Sequence, residues 1–194
     1  YTDAPTMEVV QMVLAGRTNK EIVARINRHD GEAVGLCGID GDLLRVKRYV
    51  TEDLGLVGEV TAVNTRLLEL LLGGGYMPVV APVGVDADRQ PHNVNADLAA
   101  AAVATALRAE KLVYLSDVEG VLAGETLVKS MNLARASAMI AGGVISNGMI
   151  PKVESAFRAL EAGVGKVHMI DGRVRHSLLL EIFTDEGVGT EVVL

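Results

Sequence analysis

Four short apolar runs constrain the fold of this 194-residue chain more than any other feature. They occupy residues 33–37, 78–83, 111–116 and 166–170. Short runs that are almost wholly apolar are typical of strands buried on both faces of a parallel sheet. Helical patterns separate these runs. The sequence therefore predicts an α/β fold with a mainly parallel central sheet and right-handed crossovers.

The remaining patterns predict further helices and strands around that sheet. Residues 4–28 carry apolar side chains at helical spacing, and Gly16 predicts a break into two helices, the second capped by Thr18 or Asn19. Neither a linker nor an internal repeat is visible, so a single domain is predicted for residues 1–194. The other predicted helices cover residues 65–72, 98–107, 132–141, 149–162 and 176–183. The other predicted strands are an edge strand at 43–50 and strands at 58–63 and 192–194.

Composition and charge exclude several classes of protein. Hydrophobic residues make up 49% and charged residues 22%, a balance typical of folded globular domains. The net charge of −7 argues against general binding to nucleic acid or to an anionic membrane. A single cysteine, Cys37, excludes an internal disulfide and predicts a cytoplasmic location. The longest apolar stretches are too short to span a bilayer.

The start of the sequence is unusual. Tyr1-Thr2-Asp3 has neither an initiator methionine nor the features of a signal peptide, and helical spacing begins almost at once. We therefore expect the chain to begin within a larger protein.

The first polar cluster is Asn93-Val94-Asn95-Ala96-Asp97, directly before an alanine-rich helical pattern. Asparagine side chains offer both donors and acceptors, which suits an amide or carboxylate ligand. Asp97 falls in the first turn of the helix, where the helix dipole favours a carboxylate. From these residues alone, simple capping of the helix explains the pattern better than a ligand site.

Two further segments are compatible with a bound nucleotide, although each also has a purely structural explanation. The glycine-rich residues 142–148 lead into a predicted helix with Lys152 near its start, where a bound anion is favoured and a lysine is not. A glycine-rich turn with a solvated lysine explains this segment equally well. A predicted strand also runs into Ser116, Asp117 and Gly120. Asp117 would face a nucleotide or shape the turn, and the residues alone favour the turn.

Other chemistries lack their sequence signatures. The four histidines have no metal-ligand spacing with one another or with Cys37. The sequence has no Gly-x-Ser-x-Gly hydrolase motif, and no Gly-x-Gly-x-x-Gly motif follows a predicted strand. The glycine-rich segment is not a Walker A motif. No metal site built from protein side chains is therefore predicted.

Taken in order along the chain, several short segments resemble the amino-acid kinase family. None of them is specific alone, but together they cover essentially the whole sequence. They are Thr6-Met7-Glu8-Val9-Val10, Asn19-Lys20-Glu21-Ile22-Val23, Ile26-Asn27-Arg28, Gly55-x-Val57-Gly58-Glu59-Val60, Asn93-Val94-Asn95-Ala96-Asp97, Leu115-Ser116-Asp117-Val118, Gly148-Met149-Ile150-Pro151-Lys152, Ile170-Asp171-Gly172-Arg173 and Asp185-Glu186-Gly187-x-Gly189-Thr190.

The resemblance implies a three-layer α-β-α sandwich, with the remainder of a substrate lobe at residues 1–97 and an ATP lobe at 98–194. It is strongest to family members that use ATP and Mg²⁺ to phosphorylate the side-chain carboxylate of N-acetyl-L-glutamate in arginine biosynthesis. An aspartate, glutamate or carbamate kinase remains an alternative, as does a non-catalytic arginine-sensing or partner-binding fragment. The family's Lys-x-Gly-Gly segment would precede Tyr1. Its absence implies a chain that is incomplete at its N-terminus and inactive or crippled as written.

The resemblance also implies roles for individual residues. Lys152 would stabilise the migrating phosphoryl group, and Asp97 would orient the active-site lysines. Asn93 would contact the acetylglutamate, with Asn95 as support beside it. The residues implied for the ATP site are Ser116, Asp117, Gly120, Gly148, Met149 and Ile150.

Regulation and assembly are implied in the same way. Arginine-inhibited members of the family use positions that match His168, Glu181 and Gly187. The alternative explanation of these positions is a surface helix carboxylate followed by a turn. Family members form homodimers, or hexamers where arginine inhibits them, so a homo-oligomer is expected.

Overall fold

The computed structural model describes residues 1–145, 148–184 and 187–194. Parts of the glycine-rich segment 142–148 and of the motif at 185–190 therefore lie outside the described residues. The chain divides into two compact units, Tyr1–Val103 and Ala104–Leu194. No helix in the described ranges has the length and apolar character needed to cross a membrane.

The first unit combines a parallel strand pair with a small barrel. Strands β1 and β4 pair in parallel, whereas β2, β3, β6 and β5 close on one another as the barrel. A short 3-10 turn, Asp40–Asp42, leads into β2. The elements that begin in this unit are α1 (Ala4–Val10), α2 (Asn19–Asn27), β1 (Ala33–Cys37), β2 (Leu44–Arg48), β3 (Val57–Val63), α3 (Arg66–Gly73), β4 (Met77–Ala81), β5 (Val83–Val85), β6 (Pro91–Val94) and α4 (Ala96–Ala106).

Strand β2 corrects one prediction. It pairs with β3 on one side and with β5 on the other, so the edge strand predicted at residues 43–50 is wrong. Leu44 and Val46 are buried while Arg45 and Lys47 are exposed, as expected for a strand with one solvated face. Because closing a barrel removes its edges, a half-polar strand can be fully paired.

The N-terminal helical segment is continuous from Ala4 to Asn27, so the predicted break at Gly16 is wrong. Gln11–Thr18 joins α1 to α2 through π-helical hydrogen bonds, which widen the helix without ending it. Thr18 keeps right-handed helical dihedral angles and makes no side-chain cap. One glycine costs a helix only about 1 kcal/mol, which packing against a sheet readily offsets.

Asn19, predicted as a helix cap, instead connects the helix to the sheet. It is 3% exposed, and its side-chain amide donates to the main-chain oxygens of Leu36 (3.1 Å) and Val79 (2.8 Å). Those two residues lie on the paired strands β1 and β4. Gly35 leaves room for this contact, because a Cβ at that position would lie 2.0 Å from Asn19 Oδ1.

The second unit is built on a four-stranded sheet with the order β10-β12-β11-β7. The pairs β11–β7 and β10–β12 are parallel, and β11–β12 is antiparallel. A small hairpin, β8–β9, lies outside this sheet. The elements are β7 (Lys111–Ser116), β8 (Leu122–Ala123), β9 (Thr126–Leu127), β10 (Ser130–Met131), α5 (Leu133–Ala141), α6 (Met149–Glu161), β11 (Lys166–Asp171), α7 (Ser177–Phe183) and β12 (Thr190–Val192).

Strand β11 forms the core of the second unit. Val167, Met169 and Ile170 are completely buried, as expected for a strand covered on both faces. Helix α6 buries apolar side chains at three- and four-residue spacing, among them Val153 and Phe157. The predicted strands at 111–116 and 166–170 are confirmed, as is the α/β class with mainly parallel sheets.

Candidate functional site

The asparagine-rich cluster begins on β6 of the first unit. Asn93 lies between β3 and β5, and its main-chain N–H donates to the oxygen of Leu56 at 2.8 Å. Its side-chain amide lies 3.5 Å from the hydroxyl of Thr2. His92 and Val94 on either side are buried, and because side chains alternate along a strand, Asn93 faces the other way. Asn93 therefore presents its amide on the half-exposed face of the barrel.

Asn95 is the residue that begins α4. Its side-chain oxygen accepts hydrogen bonds from the main-chain N–H groups of Asp97 (3.0 Å) and Leu98 (3.1 Å). This is the geometry of an N-cap, and it gives the capping role to Asn95. Asp97 lies in the first turn of α4 with its side chain partly exposed. Capping of α4 therefore does not explain why position 97 is an aspartate.

Lys152 lies near the N-terminal end of α6 in the second unit. Its Nζ is 5.2 Å from the centre of the Tyr114 ring on β7. The hydroxyls of Tyr114 and Ser155 are hydrogen-bonded at 2.9 Å, and the Ser155 hydroxyl donates to the main-chain oxygen of Lys152 at 2.8 Å. Tyr114 is 4% exposed and Ser155 is 1% exposed. These contacts attach the start of α6 to β7.

Strands β7 and β11 end side by side, with Ser116 opposite Asp171. The Ser116 hydroxyl donates to the main-chain oxygen of Val118 at 3.1 Å and so shapes the following turn. Asp117 is exposed in that turn. Because ligands in parallel sheets bind beyond the carboxyl ends of the strands, this edge is a candidate ligand site.

An arginine and an aspartate, neither assigned a role from the sequence, lie at the same edge. The Arg173 guanidinium forms a fork with the Asp171 carboxylate, with Nη2 at 2.8 Å from Oδ2 and Nε at 2.9 Å from Oδ1. Hydrogen bonds from Arg173 lower the pKa of Asp171. The pKa of Arg173 is raised, chiefly by Asp171 and to a smaller extent by the charge of Asp117. The charge of Arg173 therefore acts on the turn after β7.

The glycines implied for an ATP site differ in what surrounds them. Gly120 is buried with a φ of 139°, and a Cβ there would lie 2.6 Å from the hydroxyl of Thr190, so packing explains this glycine. Gly148 immediately precedes α6, and no atom of the described residues lies within 4 Å of the position that its Cβ would take. Met149 and Ile150 are half-buried in the first turn. Packing against described residues therefore does not explain the glycine at position 148.

His168, Glu181 and Gly187 lie together in the second unit. Glu181 is 6% exposed, so the alternative explanation of this position as a surface helix carboxylate is wrong. One of its carboxylate oxygens is hydrogen-bonded to Nδ1 of His168. The other accepts hydrogen bonds from the main-chain N–H groups of Val188 (2.6 Å) and Gly189 (3.1 Å). Val188 and Gly189, just before β12, therefore lie against the carboxylate on α7.

These contacts control the ionisation of Glu181. Burial alone would raise its pKa, because desolvation penalises the charged form. The N–H groups of Val188 and Gly189 and the ring of His168 outweigh that effect, so the pKa of Glu181 lies below its ordinary value of 4.5. The carboxylate is therefore charged at neutral pH.

A cavity of about 430 Å³ borders this cluster. Its lining has both signs of charge: Nζ of Lys129 donates to the main-chain oxygen of Gly187 at 3.3 Å, and Nζ of Lys166 lies 3.5 Å from the Glu191 carboxylate. A site lined in this way suits a small molecule that carries both charges. The charged residues that line it are Lys111, Lys129, Lys166, Glu181 and Glu191, with His168 beside them.

Within the described ranges, no group of three or more histidine, cysteine, aspartate or glutamate side chains is placed to hold a metal ion.

The sequence comparison decides the family. Residues 1–171 match the amino acid kinase family. The chain belongs to this family. Among its amino acid kinase relatives, the acetylglutamate kinase of Chlorobaculum parvum is 54% identical over 194 residues, which is 100% of this chain and 64% of that protein. The chain thus spans just under two thirds of that relative's length.

Solved structures of related proteins support the same fold. The N-acetylglutamate synthase of Neisseria gonorrhoeae, complexed with coenzyme A and N-acetyl-glutamate, superposes with a TM-score of 0.89 at 27% identity, covering 100% of this chain and 45% of that one. The same synthase, complexed with coenzyme A and L-arginine, gives a TM-score of 0.79 at 25% identity over 99% and 46% of the two chains. This chain therefore shares its fold with a protein that is named a synthase and not a kinase.

Proposed function

We propose that this chain is the larger part of an enzyme that transfers the γ-phosphoryl group of ATP to the side-chain carboxylate of N-acetyl-L-glutamate. The product would be N-acetylglutamyl phosphate, an intermediate for arginine biosynthesis in the cytoplasm. The observation that carries the proposal is Lys152, a cation fixed by Tyr114 at the anion-attracting start of a helix. The 54% identity to an acetylglutamate kinase supports this choice of substrate.

The chemistry explains why a lysine belongs there. ATP and a carboxylate are both anions, so they repel each other before they react. Catalysis then depends on alignment of the two reactants and on neutralisation of charge in the transition state. Lys152 would neutralise the transferring phosphoryl group, and Asp97 would orient the active-site lysines.

The acceptor would be held by the first part of the chain, residues 1–97. Asn93 would contact the acetylglutamate through its half-exposed amide, and Asn95 would support it by fixing the start of α4. These assignments follow from the family resemblance and from the position of the cluster directly after β6.

The nucleotide would be held by residues 98–194. The turn from Ser116 to Gly120 and the start of α6 at Gly148, Met149 and Ile150 would line its site. Mg²⁺, which shields phosphate charge, would arrive with ATP and be held mainly by the phosphate oxygens.

Acyl-phosphate formation tests the proposed reaction. The natural full-length protein is incubated with ATP, Mg²⁺ and hydroxylamine, which traps an acyl phosphate as a hydroxamate that ferric iron then colours. We expect turnover with N-acetyl-L-glutamate and little with aspartate, glutamate or carbamate. Trapping with one of those acceptors instead would support another amino-acid kinase. No trapping with any acceptor would support a non-catalytic arginine-sensing or partner-binding protein and contradict the proposal.

We propose in addition that the cavity beside Glu181 binds L-arginine, the end product of the pathway, as a feedback inhibitor of a homo-oligomeric enzyme, a dimer or a hexamer. The mixed charges of the cavity favour this ligand: its lysines suit an α-carboxylate, whereas glutamates and main-chain oxygens suit a guanidinium. His168, Glu181 and Gly187 all border the cavity.

A charge-removing variant tests the arginine site. Glu181→Gln keeps the shape of the side chain and one acceptor oxygen but removes the negative charge, so we expect the arginine concentration for half-inhibition to rise about tenfold. Inhibition curves for the acyl-phosphate assay measure the change. Glu154→Gln, an exposed glutamate on α6, is the matched control. The proposed arginine site is contradicted if arginine does not inhibit the wild type. It is also contradicted if the inhibition curve of Glu181→Gln coincides with that of the wild type.

A further inference from the structure

We infer that Tyr114 and Ser155 are positioning residues, which hold Lys152 in the orientation that phosphoryl transfer needs. The inference rests on the proposed function, since it assigns Lys152 to the reaction. Neither residue forms part of the motifs that identify the family in this sequence, and both become visible only through the contacts between β7 and α6.

The ring of Tyr114 acts on the charged end of the lysine. It is 4% exposed, and Nζ of Lys152 lies 5.2 Å from its centre. An ammonium group over an aromatic face is attracted by the ring quadrupole, and the attraction grows as water is excluded. Lysine has four rotatable side-chain bonds, so an attraction at its tip narrows the positions that the charge can take.

The hydroxyl groups act on the backbone of the same lysine. The Ser155 hydroxyl has one proton, which it donates to the main-chain oxygen of Lys152 at 2.8 Å. In its 2.9 Å bond to Tyr114, Ser155 must therefore accept, and the tyrosine hydroxyl donates. One buried chain of two hydrogen bonds thus runs from Tyr114 through Ser155 to the backbone of Lys152.

The two contacts together hold the lysine at both ends of its side chain. The ring faces Nζ, and the hydroxyl chain fixes the main chain from which the side chain extends. Phosphoryl transfer is sensitive to small displacements, since the groups that neutralise charge must already be in place when it develops. Apolar packing alone does not require this arrangement. Leu112, two residues earlier and on the same face of β7, is buried without any polar group.

Kinetics of three variants and one control, Leu112→Val, test the inference on the natural full-length protein. Tyr114→Leu removes the ring and the hydroxyl, and we expect kcat to fall about tenfold with the KM for ATP and for the acceptor within about twofold. Tyr114→Phe keeps the ring and should recover most of that loss. Ser155→Ala breaks the hydroxyl chain and should lower kcat about threefold. Leu112→Val, a core change on the same strand, should alter thermal stability without this fall in kcat.

A spectroscopic measurement separates this inference from the proposed function. The ring current of Tyr114 should shift the NMR signals of the Lys152 Cε protons upfield, and Tyr114→Leu should abolish that shift whether or not the protein is active. If the Lys152 signals are shifted but the wild type forms no acyl phosphate, both the proposed function and the positioning role are contradicted. If the wild type is active but Tyr114→Leu has the same kcat as Leu112→Val, the positioning role alone is contradicted.

Discussion

Replacing Lys152 with alanine is expected to lower kcat by about 100- to 1000-fold, the usual loss when one preorganised group that stabilises transition-state charge is removed. The fold should survive. Lys152 is only half-buried, and the contact with Tyr114 contributes about 1 kcal/mol or less to stability. The hydroxamate assay measures turnover, and thermal unfolding of the same samples confirms that the variant is folded.

A second cation on the same helix provides the control for Lys152. Arg158 is exposed and forms a surface pair with Glu154 at 3.4 Å, so Arg158→Ala removes a positive charge from α6 without touching Tyr114. We expect its kcat to stay within about twofold of the wild type, since exposed pairs of this kind contribute little. Equal turnover for Lys152→Ala and wild type would remove Lys152 from the mechanism.

Glu181→Ala is expected to lower the free energy of unfolding by about 3 kcal/mol. The substitution leaves the N–H groups of Val188 and Gly189 and the ring of His168 without their acceptor in a buried place. Chemical denaturation at neutral pH measures the loss. Glu154→Ala, which removes an exposed glutamate, should change the same quantity by less than about 0.5 kcal/mol.

The pH dependence identifies the source of that loss. The pKa of Glu181 is lower in the folded protein than its ordinary value of 4.5, so the folded state binds fewer protons than the unfolded state. The stabilisation is therefore fully present above pH 4.5 and is lost as the pH falls through the lower folded pKa. The glutamine in Glu181→Gln cannot ionise. The difference in free energy of unfolding between wild type and this variant should therefore narrow as the pH is lowered from 6 towards 3. A deficit independent of pH would show that the charge of Glu181 does not stabilise the fold.

Much of the fold follows from apolar periodicity. The strand at Lys111–Ser116 was predicted with the bounds that the structure has, and the helix predicted at 149–162 matches α6 (Met149–Glu161) closely. These elements are predictable because each has one dominant pattern. The small barrel was not foreseen as a barrel, because closure depends on which strands pair, and pairing between distant segments leaves no local signal. The continuous N-terminal helix was missed because packing outweighed the low helix propensity of Gly16.

The candidate site shows the same division. Family motifs contain Lys152, Asp97 and the turn at Ser116, so the sequence points to all three. Tyr114 was missed, although an aromatic hydroxyl inside an apolar strand is itself a signal, since a buried tyrosine normally needs a hydrogen-bond partner. The burial of Glu181 could not be predicted, because it depends on how Val188 and Gly189, just after α7, turn back to donate to the carboxylate, and that turn leaves no periodic signal.

The side-chain amide of Asn19 limits which substitutions this sequence can accept at position 35. It occupies the space that a side chain at position 35 would need, so the two positions are not free to vary separately. A methyl group at position 35 becomes tolerable only once position 19 has lost its amide, and then the helix gives up both of its bonds to Leu36 and Val79. Across related chains, these two sites should therefore change as a pair or stay as they are.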